Sequence, residues 1–211
     1  MKNITKMLIT LASAAGVMAC SQGEKKSSDF KYLIDEFADI KIMRYQIPGW
    51  DNLSFKQKEY LYHLSEAAKF GWDIYWDQNC KDNLAVRKVL QNILENYKGD
   101  RNCKDFQDFT VYAKRVFFSS SIHHHYAEDK FFPQCGEEYF KSLMEAVGES
   151  EKCATLLPVI YSKELYAQRR SSSKTGDIVA LSSVNFYEGV TRDEVEKYYA
   201  GITDKNDPEP I

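Results

Sequence analysis

Apolar residues recur at helical spacing along most of the chain. Ser54, with Gln57 three residues on, writes a capping box. The run behind it carries Leu61, Leu64, Ala68 and Ile74 on one side and predicts a long inner-facing helix to about Trp76. Gly71 interrupts that run, as expected where another backbone approaches closely. After the polar break Asp77-Gln78-Asn79, Asn83 caps a helix through Val86, Val89, Leu90, Ile93 and Leu94, which Lys98-Gly99-Asp100 turns. From about Lys104, Phe106, Phe109, Tyr112, Ala113 and Val116 predict a third helix, and Glu137 to Val147 a fourth. Leu156 to Tyr161 is a short apolar segment broken by Pro158. Thr191 with Glu194 caps a last helix through Val195 and Tyr199. Near the start, Phe30, Leu33, Ile34 and Phe37 match a helical face, followed by an extended I-K-I-M-R-Y-Q-I that Pro48-Gly49 ends. The strongest strand pattern is Asp177 to Tyr187, rich in β-branched and aromatic residues. The expected class is α+β, predominantly helical with a minor β component.

The first residues read as an address. Lys2 and Lys6 precede an apolar run, Met7 to Met18, that is too short to span a bilayer and has the form of a secretory signal. It ends V-M-A-C, which resembles a bacterial lipobox, so Cys20 is the expected lipidation site. Ser21 to Ser28 then forms a polar tether, leaving residues 29–211 as the folded region. The expected location is the bacterial cell envelope, lipid-anchored and facing the periplasm or the cell surface.

Composition narrows the function classes. A chain of 211 residues, 44% hydrophobic and 28% charged, describes a folded protein of one domain or one large lobe. A net charge of -3 gives no electrostatic argument for nucleic acid. Cys80, Cys103, Cys135 and Cys153 lack a C-x-x-C or other tight spacing, which leaves two disulfides or four buried thiols open.

Candidate chemistry concentrates in Val116 to Pro133, V-F-F-S-S-S-I-H-H-H-Y-A-E-D-K-F-F-P. On a strand only His123 and His125 share a face. A metal would need Glu128, Asp129 or distant His63 as further ligands. A groove wall needs only polar groups beside aromatic surface, so His123, His125 and Tyr126 are expected to line an open groove.

At this stretch the chain resembles the dipeptidyl peptidase III family of zinc exopeptidases, most closely its Bacteroidetes-type members. The matching segments are F-A-D-I-K-I-M-R-Y-Q-I-P-G-W (Phe37–Trp50) and L-S-F-K-Q-K-E-Y-L-Y-H-L-S-E-A-A (Leu53–Ala68). They continue through N-Y-K-G-D-R (Asn96–Arg101), I-H-H-H-Y-x-x-D-K-F-x-P (Ile122–Pro133) and N-F-Y-E-G-V-T (Asn185–Thr191). The resemblance implies part of the lower lobe of a two-lobed enzyme that removes dipeptides from peptide N-termini. It places a substrate-contacting tyrosine of the family at His123. It also makes Asn185 and Tyr187 part of a peptide-contacting strand that works by strand addition.

The departures carry equal weight. No H-E-x-x-G-H-type motif occurs in the sequence, so the family's zinc has no helix to hold it here, and a truncated or split gene product is the expected reason. The expected catalytic set and metal set are both empty, and the expected partners are short peptides and a zinc-bearing lobe. The alternative is a lipid-anchored peptide-binding or interaction protein derived from such a lobe. Relatives carry glycines near Ser121 and Ala127, so a tight backbone turn is expected to relax here.

Overall fold

The computed structural model describes residues 30–204 and 206. The signal sequence, Cys20 and the tether lie outside the described residues. Contacts divide the chain into two units, Met1–Pro48 and Gly49–Ile211. The fold class is as expected: mainly helical, with one small antiparallel sheet.

The described part of the first unit is a hairpin. Strands β1 (Leu33–Phe37) and β2 (Ile40–Met43) pair antiparallel, with Glu36 opposite Lys41 and Phe37 opposite Ile40. The helix expected from Phe30 to Phe37 is therefore a strand. Eight residues of apolar spacing cannot separate the two periods, and the adjacent extended run supplies a ladder partner. Ala38 takes φ +50° in the connection. Arg44 prolongs the pairing by donating from its backbone to Tyr32 O at 2.9 Å, while its guanidinium lies 4.5 Å from the Phe30 ring centroid.

In the second unit, α1 (Phe55–Phe70) starts at the expected capping box: Ser54 Oγ accepts from Gln57 N at 3.4 Å, and Gln57 Oε1 accepts from Ser54 N at 2.9 Å. The single long helix is two, because the chain breaks at Gly71 before α2 (Trp72–Asn79). The glycine is not needed for a close approach, since a Cβ there would meet only Ala68 O at 3.7 Å. The expected inner face is exposed: α1 buries no residue, and Leu61, Leu64, Ala68 and Ile74 all face solvent. The polar triplet Asp77-Gln78-Asn79 continues α2 instead of ending it.

The core assembles from α3 (Asn83–Asn96), α4 (Lys104–Ser119), α5 (Glu137–Ala146) and α6 (Cys153–Tyr161). Their buried stripes interlock through aromatic contacts: Phe109 meets Phe140 edge-on at 5.3 Å, and Phe140 meets Tyr161 at 6.0 Å. Asp82, not Asn83, is the N-cap of α3, and Asn83 is buried. Arg101 closes the other end of α3, donating to Leu94 O and Tyr97 O, both at 2.8 Å. Pro158 lies inside α6 without breaking it, and Ser162 N still donates to Pro158 O at 3.0 Å. All four described cysteines are free thiols.

The expected strand from Asp177 to Tyr187 is instead a short helix, α7 (Ile178–Leu181), followed by extended chain. The Asp177 carboxylate accepts from Val179 N and Ala180 N at 2.9 and 3.2 Å, and this nucleates a turn where β propensity alone reads strand. The last helix, α8 (Arg192–Ile202), begins at the expected Thr191–Glu194 box. Among the described residues no helix is long and apolar enough to cross a membrane.

Candidate functional site

The histidine stretch is a hairpin with a buried base and an exposed tip. Its geometry starts at the end of α4, where Ser120 takes φ +50° and Ser121 N donates to Val116 O at 3.2 Å. That left-handed step turns Ser121, Ile122 and His123 into the interior. Phe131 N returns to Ile122 O at 2.8 Å, and His123 bridges Lys130. At the tip, His124 N donates to Asp129 O at 2.8 Å, and Glu128 takes φ +69°. Ser120 and Glu128, each one residue from a position where relaxation of the turn was expected, take left-handed backbone without glycine.

His123 is fully buried. This corrects the expectation of a groove-lining side chain at that position: the inward turn at Ser120 buries the ring. Its Nε2 lies 2.7 Å from Tyr166 O, an atom that only accepts, so Nε2 carries the proton. Nδ1 then accepts from Ser121 Oγ at 3.2 Å. Burial pushes its pKa down to about 4, which keeps the ring neutral.

Around this ring the structure gathers segments far apart in sequence. Ser183 Oγ sits 3.5 Å from His123 Nε2 and donates to Asn79 O at 3.3 Å. Buried Asn83 donates from Nδ2 to Trp76 O at 3.0 Å and accepts from Ile122 N at 3.1 Å. Lys130 is buried beneath the tip and donates to Ser162 O and Leu165 O at 2.7 and 2.8 Å, and burial lowers its pKa to about 8. Arg169 opens R-R-S-S-S-K (169–174), a small basic loop that the sequence alone reads as solvated, yet Arg169 is buried. Its Nε and Nη2 fork the Glu128 carboxylate at 2.9 and 2.8 Å, and Nη2 also reaches His125 O at 3.1 Å. Those bonds hold the Glu128 pKa down to about 2.

Asn185 and Tyr187 line a cleft of about 200 Å³ with Lys81, Tyr166, Ser183 and Glu188. Asn185 is fastened at both ends, its N–H to Gln78 O and its Nδ2 to Asp77 Oδ2, each at 3.2 Å. Tyr187 is hydrogen-bonded to Tyr199, which pushes its pKa up. His125 and Tyr126 belong to the hairpin tip, where Tyr126 is 83% exposed and its ring centroid lies 4.3 Å from that of His125. His63 stands apart on exposed α1.

The buried His123 ring is not open to a zinc ion. Both His123 nitrogens are engaged, and His124 Nδ1 accepts from Tyr126 N and Ala127 N at 3.1 and 3.0 Å. Among the described residues no group of three or more His, Cys, Asp or Glu side chains is gathered as for a metal. Sequence reasoning missed Arg169, Lys130, Tyr166 and Ser183. Their roles come from partners tens of residues away, and only the A-E-D-K charge cluster hinted at an ion pair. Neither the protein-family models nor the curated proteins compared with the chain match it.

Proposed function

We propose that this chain is the peptide-binding wall of a dipeptidyl-peptidase-III-like protein, anchored to the bacterial envelope through a lipid on Cys20. The observation that carries the reading is the approach of I-H-H-H-Y to the residues just before N-F-Y-E-G-V-T. Ser183, two residues ahead of that segment and sixty from His123, brings its Oγ within 3.5 Å of His123 Nε2. Beside that contact is a cleft with a fixed amide at Asn185 and an aromatic hydroxyl at Tyr187. Such a wall binds a peptide backbone by hydrogen bonds and its side chains by aromatic surface.

In the family that the chain resembles, hydrolysis runs on a zinc-activated water. The family's H-E-x-x-G-H-type helix is absent from this sequence, so the chain binds peptide and leaves cleavage to a zinc-bearing partner lobe. Calorimetric titration of a short peptide should give weak, saturable binding that Asn185→Ala with Tyr187→Phe abolishes. Equal affinity in both proteins removes the cleft from the site. Chelator-sensitive dipeptide release by the purified chain would overturn the division of labour. Cys20→Ala should move the protein out of the membrane fraction.

A further inference from the structure

We infer that Arg170 is a carboxylate receptor at the rim of the histidine hairpin, selecting peptides that present a carboxylate beside an aromatic or aliphatic side chain. This rests on the peptide-binding reading and adds a specificity-determining residue to it.

Two guanidinium groups converge on the one Glu128 carboxylate, and they do different work. Arg169 is buried, forks both oxygens, and ties the hairpin to Asn79 Oδ1 at 3.5 Å and His125 O at 3.1 Å. It is the larger of the two influences that keep Glu128 ionised. Arg170 approaches the same carboxylate from the solvent side with its side chain 63% exposed. It uses the edge formed by Nε and Nη2. The second fork of the guanidinium, Nη1 with the other Nη2 proton, makes no hydrogen bond among the described residues. A planar guanidinium with one fork filled and one open is suited to a second carboxylate.

The surface agrees with that assignment. Close in sequence to Glu128 stands an aromatic ledge: Phe118 packs on His125 at 5.3 Å, and His125 packs on Tyr126 at 4.3 Å. Phe118 and Tyr126 are both exposed. Arg169 Nη2 joins the His125 carbonyl to the Glu128 carboxylate, so the backbone that carries the ledge and the carboxylate that Arg170 grips are held together.

The test uses the full chain and three peptides of the form Ala-Ala-Phe: the free acid, its C-terminal amide, and an amide extended by Glu. Wild type should bind the free acid about tenfold more tightly than the amide, the size expected for one charge-assisted fork. In Arg170→Gln that ratio should fall to about one, and Arg170→Lys should restore part of it as a point charge. The Glu-extended amide shows whether the carboxylate must be terminal, and either source requires the same loss in Arg170→Gln. Equal binding of acid and amide by wild type overturns the assignment and leaves the peptide reading intact. A preference that survives in Arg170→Gln also overturns it. Binding of none of the three peptides removes both.

Discussion

Helices α1 and α4 are each 16 residues long and each carries apolar side chains at helical spacing. Helix α4 buries Phe106, Phe109, Tyr112, Ala113, Val116 and Ser119, whereas α1 buries none. Leu61, Leu64, Tyr60 and Phe70 of α1 stand in solvent, while Phe109 of α4 is completely enclosed. An apolar stripe thus states what a helix is able to bury; burial itself depends on a facing surface. Helix α4 has one in α3, α5 and the histidine hairpin. Helix α1 is held by its cap and its own hydrogen bonds, which contribute far less than packing does.

The largest expected effect sharpens that contrast. Phe109→Ala should destabilise the protein by about 3–5 kcal/mol in denaturant unfolding, because it empties a closed aromatic site. Acid should give the next largest. The His123 pKa is depressed when folded, so its contribution is complete above about 6.5 and is lost as pH falls to about 4. In that window the unfolded chain takes the proton first, so stability rises with pH, by on the order of 3 kcal/mol in total. A stability difference between wild type and His123→Gln that does not shrink as pH drops would contradict the buried neutral ring.

Smaller changes probe the same two regions. The Tyr112 hydroxyl is buried with no hydrogen-bond partner among the described residues. Tyr112→Phe should therefore be neutral or stabilising by about 1 kcal/mol. Ser54→Ala removes the α1 cap and should cost about 1 kcal/mol, read as faster amide exchange confined to the first turns of α1. The smallest change expected is Leu64→Ala, within about 0.5 kcal/mol. A loss of several kcal/mol there would mean that something covers α1 in solution and would break the comparison.

What could be read from the chain follows the range of the interactions. Both capping boxes and the buried stripe of 104–119 stand as expected, because each is decided within a few residues. The errors arose where a distant or competing partner decides. Phe30 to Phe37 became strand through pairing with Ile40 to Met43. The residues after Asp177 became helix through a carboxylate cap. Asn185 and Tyr187 do line a cleft, but His123 sits behind the surface and not on it. Nothing in R-R-S-S-S-K distinguishes Arg169 from Arg170. Only the fold makes one a buried strut and leaves the other at the rim.

The Glu128–Arg169 clamp also has a consequence for how the chain reaches this state. Its partners are 41 residues apart, and α5 and α6 lie between them in sequence. Closing such a loop in an otherwise unfolded chain costs about 3 kcal/mol of entropy. The clamp is therefore expected to close after the helix pair has docked and shortened the gap. Replacing Glu128 should then accelerate unfolding and leave the folding rate nearly unchanged, whereas a slowed folding rate would place the clamp in the early structure.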